Sequence, residues 1–338
     1  MQRRTGGRLA GPVVPWKGEV RVVAPSLPAA RPATAPGPLR RRPWLERRQA
    51  RIALWFLLPW GIGFFAFTLW PMLDSLILSF SNYSILGSAK FVGLSNYQYM
   101  LFGQGTLFWQ ALKVTAYYVL GSVPLGTAIA LLLAVLLNQR VWGEGLFRTL
   151  FYIPSVVTGV PLAILWSWVF QPQFGLLNSL LTRVFHIANP PQWIYSPHTA
   201  IISLVLISFW NLGGAMLIYL AGLQGIQPDI YEAAKVDGGG TWPLFRHITV
   251  PLLTPQILFN LVLGVIGSFQ VFTTAYVITD GGPGYSTTVL VLYLYKAAFE
   301  NFQMGYASAL AWAIFIIIAL LTALIFRSFT KRVFYGGE

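Results

Sequence analysis

Six long apolar stretches follow one another through the chain, at approximately 52–80, 108–137, 149–170, 200–224, 255–279 and 305–326. Each is near or above the ~20 apolar residues that an α-helix needs to cross ~30 Å of hydrocarbon. In that medium no water serves the backbone N–H and C=O groups, so stretches of this length fold as helices that bond internally. The expected class is therefore an all-α membrane protein with six transmembrane helices. Composition agrees, with 56% hydrophobic and only 10% charged residues, against about 25% charged in a soluble domain. The first stretch, IALWFLLPWGIGFFAFTLWPMLDSLILSF, is overlong and contains Pro59 and Pro71. A proline removes one helical hydrogen bond and crowds the preceding turn, so this stretch is expected to kink or leave the membrane near Pro71.

Ahead of the spans, residues 1–43 carry eight prolines and repeated arginines without apolar periodicity. Such a segment cannot bury enough surface to offset the entropy of ordering, and it reads as a disordered basic tail. It lacks the roughly 7–15-residue apolar core of a signal peptide. Lys and Arg also orient the remainder, 44–335. Arg40, Arg41, Arg42, Arg47, Arg48, Arg51, Arg140, Arg148, Lys235, Arg246, Arg327, Lys331 and Arg332 fall on one side of the six spans, against Lys90, Lys113, Arg183 and Lys296 on the other. Both termini are thus expected in the cytoplasm, with the link between the fourth and fifth spans. The net charge of +13 is accounted for by these flanking residues, so a nucleic-acid partner is not expected.

Several function classes lack their residues. Cysteine is absent, and His186, His198 and His247 are too scattered to propose a metal cluster. None of the ten acids lies in the middle of a span, whereas ion-coupled carriers usually need intramembrane ionisable groups. Sodium sites built from carbonyls and hydroxyls remain open to a secondary carrier. No phosphate-binding loop, nucleophile elbow or H-E-x-x-H helix occurs. A membrane-embedded enzyme would show clustered acids, histidines or cysteines near an interface. The single cluster of acids is Asp229, Glu232 and Asp237, in the link between the fourth and fifth spans.

That link reads YEAAKVDGGGTWPLFRHITVPLLTP over 231–255. Pro228 suits a first helical turn and Asp229 the positive end of the helix dipole, so 228–237 is expected to be a short helix. Gly238, Gly239 and Gly240 should stop it. Thr241 is placed to cap a second helix, and Pro251 and Pro255 redirect the chain into the fifth span. Two readings fit this helix, bend and helix. Trp242, Phe245 and Ile248 suit a lipid interface, with Glu232 paired to Lys235. Alternatively, small Ala233 and Ala234 permit close approach of a partner to which Glu232 offers its charge. Spacing alone does not separate them.

Glu232-Ala233-Ala234, Asp237-Gly238, Phe245, Ile248 and Pro251 resemble the EAA signature of permease subunits of binding-protein-dependent ABC importers. The likeness extends over most of 44–335. FVGLSNY (91–97), FRTLFYIP (147–154), FGLLNSLL (174–181), AGLQGIQPDIYEAAKVDGG (221–239), TDGGPGYSTTVL (279–290) and MGYASAL (304–310) are similar to the carbohydrate branch, which imports maltose, lactose or glycerol 3-phosphate. The resemblance implies the six-helix arrangement of type I importer permeases in a bacterial or archaeal cytoplasmic membrane. It also implies a second permease subunit, an ATPase dimer that binds ATP and Mg, an extracytoplasmic sugar-binding protein and a sugar substrate. This chain itself would bind no cofactor and catalyse no reaction. Segment 228–251 would couple to the ATPase through Glu232, Ala233, Ala234, Asp237, Gly238, Ile248 and Pro251. Two departures are small: Gly239 stands where alanine is usual, and Val250 where leucine commonly precedes the proline.

A transport site is expected where polar groups interrupt apolar helices near the midplane. Trp210 and Asn211 in the fourth span, and Ser268, Gln270, Thr273 and Thr274 in the fifth, are the candidates, their amides and hydroxyls suited to sugar hydroxyls. The same groups suit bonds between helices. The segments 81–107, 171–199 and 280–304 would contribute to the binding-protein contact. Within the last of them, Asp280-Gly281-Gly282-Pro283-Gly284 reads as an exposed turn.

Overall fold

The computed structural model describes residues 43–85, 87–139 and 143–329, with side chains from Ile52 onward. The tail expected over 1–43 lies outside these residues except for Pro43, which opens a helix. Two units divide between Gly63 and Phe64. The described part of the first is the helix α1 (Pro43–Phe64) up to Gly63, which carries the exposed aromatics Trp55, Phe56 and Trp60.

The second unit begins with a π-helical turn, Phe65–Leu69, followed by α2 (Trp70–Ser79). The first span thus carries a π-helical turn just ahead of Pro71, and the helix continues through it into α2. Next come β1 (Ser81–Asn82), β2 (Lys90–Phe91), α3 (Ser95–Phe102) and the long α4 (Phe108–Leu137). The two strands pair antiparallel, with Ser81 opposite Phe91 and Asn82 opposite Lys90.

Then follow α5 (Glu144–Tyr152), α6 (Val160–Val169), α7 (Leu176–Arg183), α8 (Ala200–Ser208) and α9 (Gly213–Gln224). The connecting segment forms α10 (Pro228–Val236), α11 (Thr241–Leu244) and α12 (Val250–Leu252), and α13 (Thr254–Phe269), α14 (Leu290–Tyr295) and α15 (Met304–Phe329) complete the chain.

Three helical stretches are long and apolar enough to cross a membrane unbroken: Ile52–Ser79, Phe108–Leu137 and Met304–Phe329. The other three spans are bent pairs, which differ from the continuous stretches read from hydropathy. Glu144–Val156 meets Val160–Val169 at 103°, Ala200–Asn211 meets Gly213–Gln224 at 47°, and Thr241–Leu252 meets Thr254–Phe269 at 68°. Backbone chemistry accounts for the breaks. Gly159 has φ 71°, in a region where a side chain is strained, and Asn211 and Gly213 flank the second break with weak helix formers. The third break has proline on both sides, Pro251 and Pro255 each in the first turn of a new helix. The fifth span also ends earlier than the apolar run: α13 stops at Phe269, and a π-helical turn, Ala275–Thr279, follows.

Helix α4 is the hub. Its Phe108, Ala111, Val119 and Val123 pack against Val265, Phe269, Leu290 and Leu310. Val114 and Tyr118 join Leu162, Phe170, Leu204 and Ile207, and Ala130, Leu131 and Ala134 join Met216, Tyr219, Leu220 and Leu253. Ala111, Ala130 and Ala134 are wholly buried, as expected where small side chains let helices approach without a water-driven hydrophobic force.

The two ends of the bundle carry different structures. At one, Gly305 N donates to Tyr83 O at 3.0 Å, and the Asn96 amide donates to the carbonyls of Ser79 and Ser81 at 2.8 and 3.0 Å. These bonds join the start of α15 to β1 and α3. At the other lies α10 to α12, separated from the first by α13, whose 16 residues rise about 24 Å.

Candidate functional site

Helix α10 is nine residues long and has no buried residue. An isolated helix shorter than about 12 residues is marginal in water, so its ends must hold it. At its start, Pro228 fixes φ and Asp229 faces the helix dipole. At its end, Asp237 N, Gly238 N and Gly239 N bond to the carbonyls of Ala233, Lys235 and Ala234 at 3.1, 3.0 and 2.9 Å. Gly238 has φ +82°, the left-handed conformation that lets the chain turn back without strain from a Cβ.

A side-chain contact then closes the segment. Tyr231 Oη lies 3.0 Å from Thr249 Oγ1, linking α10 to the turn ahead of α12. Thr249 is buried and also reaches Leu244 O at 3.4 Å. Composition alone gave no reason to single out this pair. Thr241, expected to cap the second helix, is instead its first residue: Gly240 holds the capping position without a side-chain bond.

Within this frame Glu232 and Ala233 are exposed, Ala234 is half-buried, Asp237 and Gly238 are exposed, and Ile248 and Pro251 are half-buried. The pair expected between Glu232 and Lys235 is not formed: among the described residues the ion pairs are Arg148–Glu144 and Lys296–Asp280. Both side chains are exposed, and an exposed pair gains little against the entropy of holding two long side chains together. Val236 is 88% exposed and Trp242 66% exposed, with the Trp242 ring stacked on Phe245 at 5.6 Å. The segment thus presents three exposed carboxylates without an ion pair among the described residues, Asp229, Glu232 and Asp237, together with a small-residue face and an apolar rim.

The candidate pathway residues fall into different surroundings. Trp210 is half-buried and meets Trp166 edge-on at 5.6 Å within the cluster around Phe170 and Leu204. Asn211 is exposed. Ser268 is bonded to Ser122 of α4 at 3.2 Å, the interhelical alternative open from sequence. Gln270 is exposed and opens on a groove of about 630 Å³ between α13 and α15, lined by Ile266, Ile314, Phe315 and Thr322. Thr273 and Thr274 are half-buried in the link to the π-helical turn.

The glycine-rich loop after this turn is not the plain exposed turn that its composition predicts. Gly281, Thr287 and Thr288 are buried. Thr287 Oγ1 donates to Gly282 O at 2.8 Å and lies 2.7 Å from Thr279 Oγ1, and Thr288 Oγ1 donates to Gly281 O at 2.9 Å. Lys296 Nζ adds bonds to Asp280 Oδ1 and Asp280 O at 2.8 and 2.9 Å. The two threonines supply the side-chain donors that glycines cannot, so the signal for a built loop lies in STTVL rather than in DGGPG. Thr115 Oγ1 accepts from Leu290 N at 2.9 Å, fixing the loop's exit to the hub helix.

Residues 122–335 match the family described as "Binding-protein-dependent transport system inner membrane component". Among curated proteins, the chain is 44% identical over 286 residues to the probable ABC transporter permease protein YesP of Bacillus subtilis, covering 84% of this chain and 92% of that one. It is 36% identical to the lactose transport system permease protein LacF of Rhizobium radiobacter, covering 79% and 90%. Among solved structures, it superposes with a TM-score of 0.74 and 22% identity on a chain of a bacterial alginate ABC transporter, solved in complex with an alginate pentasaccharide-bound periplasmic protein. That match covers 86% of this chain and 98% of the other, and it shows a shared fold. With six apolar spans, a helical bundle and these relatives in agreement, the chain is a multi-pass membrane protein of the binding-protein-dependent transport system inner membrane component family.

Proposed function

We propose that this chain is the permease subunit of an ATP-driven importer that carries a sugar, as a mono- or oligosaccharide or sugar derivative, across the cytoplasmic membrane. Both termini and the α10–α12 segment face the cytoplasm in this reading. The observation that carries it is α10: a short helix fixed by its caps and by the Tyr231–Thr249 contact, with Glu232 exposed and uncompensated. Held at both ends, exposed, and with the Glu232 carboxylate free of an ion pair, it suits a cleft on a partner with a basic residue facing Glu232. The partner is a separate ATPase dimer that binds ATP and Mg and hydrolyses the nucleotide; a second permease subunit completes the pathway. An extracytoplasmic binding protein delivers the sugar to the opposite end, where the bonded loop 279–289 offers a firm surface. The names of the lactose permease relative and of the alginate transporter favour a carbohydrate as substrate.

Movement of the α10–α12 segment would reach the membrane through α9 before it and α13 after it. Asn211 and Gln270, on the fourth and fifth spans, are exposed amides. An amide facing lipid at this depth leaves its hydrogen bonds unmade, so these side chains suit a polar pathway or a subunit contact. The deciding experiment is ATP hydrolysis by the complete assembly. Stimulation by binding protein plus sugar is the expected result, and its absence in an assembly containing every subunit would sink the importer reading.

A further inference from the structure

Helix α7 (Leu176–Arg183) lies between the third and fourth spans. It is at the end of the bundle away from α10–α12, because the fourth span runs from α8 through α9 into α10. Val184 extends its winding, with its N–H bonded to Leu180 O at 2.9 Å. Residues three or four apart on a helix share a face, and by that rule α7 divides into three stripes. Leu177, Asn178 and Leu181 form the one that meets the bundle. Leu177 packs on the cluster around Phe170 and Leu204. Asn178 is buried, its Nδ2 donating to Pro172 O and Pro191 O at 3.2 Å each and its Oδ1 accepting from Trp193 Nε1 at 2.6 Å. These bonds tie α7 to the chain on both of its flanks, so the directions of the other two stripes are fixed.

The second stripe is polar: Ser179 is half-buried, and Thr182 and Arg183 are exposed. The third is apolar and uncovered: Leu176 is 72% exposed, Leu180 47% and Val184 58%, with Phe174 and Phe185 exposed at either end. A helix wholly in hydrocarbon would be apolar on both uncovered stripes, and one wholly in water polar on both. One of each is the pattern of a helix lying in the plane of the lipid–water boundary. The neighbouring surface agrees. Residues 170–175 are all that separates α7 from the end of α6, where exposed Trp168 stands as boundary tryptophans do at the ends of spans. Arg183 borders the apolar stripe, next to Val184 and three residues from Leu180, and has no ion pair among the described residues. From there its stem can lie along acyl chains while the guanidinium reaches lipid phosphate.

We propose that α7 is an interfacial membrane helix: Leu176, Leu180 and Val184 lie among the acyl chains of the leaflet away from α10–α12, while Ser179 and Thr182 face water. The inference needs only a multi-pass chain and holds whatever solute the assembly carries. Through Asn178 the helix sets the height at which the third span ends and the fourth begins. Its apolar stripe is withdrawn from the surface that 171–199 offers to a binding protein, which leaves the polar stripe and the loop 279–289 for that contact.

The test places the full chain, alone and in the complete assembly, in nanodiscs of phosphatidylcholine and phosphatidylglycerol. The chain has no cysteine of its own, so Leu176→Cys, Leu180→Cys, Val184→Cys, Ser179→Cys and Thr182→Cys each carry a single nitroxide label. Collisions of the label with oxygen, which concentrates in lipid, are compared with collisions with a water-soluble nickel complex. The oxygen-to-nickel ratio at 176, 180 and 184 should exceed that at 179 and 182 by about fivefold or more, in the lone chain and in the assembly alike. Ratios that agree within about twofold on the two stripes would place α7 in water and overturn the proposal. Labels at 176, 180 and 184 shielded from both reagents in the assembly would assign the stripe to the second permease subunit instead. Nickel access at 180 that is high at first and falls when the binding protein is added would assign it to that protein. Should a label at one position disturb folding, the other two positions of the apolar stripe carry the same comparison.

Discussion

The hydroxyls of Tyr231 and Thr249, 3.0 Å apart, are the contact that turns two short helices into one unit. Thr249 is buried beneath α11 and Tyr231 is half-buried, so the bond is partly shielded from competing water. A hydrogen bond of this kind contributes about 0.5–1.5 kcal/mol. Tyr231→Phe keeps the ring and loses the bond. Membrane insertion and assembly should be unchanged, while sugar-stimulated ATP hydrolysis by the assembly falls several-fold. Limited proteolysis should also cut the 228–251 segment faster. Equal proteolysis rates in the two proteins would mean that the bond does not hold the segment.

Glu232 has the opposite character. It is exposed and has no ion pair among the described residues, so Glu232→Ala should change the chain's own stability by no more than about 0.5 kcal/mol. Against a basic residue in an ATPase cleft, a hydrogen bond to a charged group is worth about 1.5–3 kcal/mol. The variant should therefore bind the ATPase at least about tenfold more weakly, measured by co-purification over a concentration series. Glu232→Gln should fall between. An ATPase affinity unaffected by both changes would return α10 to the lipid-interface reading.

How much of this was legible in the sequence differs from element to element. Span number and helical class followed from apolar length, because hydrocarbon leaves the backbone no alternative. The α10 helix and its stop were also legible, since Pro228, Asp229 and Gly238 act through local backbone physics. The bend at Gly159 was not: hydropathy reads 149–170 as continuous, and only φ 71° at that glycine shows where the direction changes. Nor were the Tyr231–Thr249 contact or the Ser122–Ser268 contact, whose partners are 18 and 146 residues apart. Such pairings depend on how helices pack, and one polar residue in an oily helix does not disclose its partner.

Gln270 separates two roles for polar groups in the fifth span. Ser268 has a partner on α4, whereas Gln270 is exposed beside the groove between α13 and α15. Gln270→Leu should accordingly leave assembly and thermal stability intact and raise the half-saturating sugar concentration for transport by about fivefold, a loss near 1 kcal/mol. Ser268→Ala should do the reverse, with a modest loss of stability and near-normal transport affinity. If Gln270→Leu instead lowers the yield of the two-permease complex, its amide belongs to a subunit contact rather than to the sugar's route.

At the far end, Lys296 holds the 280–289 loop by pairing with the Asp280 carboxylate and by donating to the Asp280 carbonyl. The Lys296 side chain is 26% exposed and that of Asp280 64%, so water screens the pair and its contribution to stability is small, about 0.2–1 kcal/mol. Its larger effect is on geometry, because Asp280 has φ +47°, a left-handed conformation uncommon outside glycine that Asp tolerates better than most residues, and Lys296 holds both its carboxylate and its carbonyl. Lys296→Met preserves the length of the side chain and removes both bonds. The loop should then sample other conformations while the threonine bonds beneath it persist. Thermal stability should change little, and the concentration of binding protein that half-stimulates ATP hydrolysis should rise about threefold or more. Because the surviving bonds to Gly281 and Gly282 come from Thr288 and Thr287, Thr287→Val should add to the effect. A stimulation curve that overlays wild type in the Lys296→Met assembly would show that loop order does not contribute to the binding-protein contact.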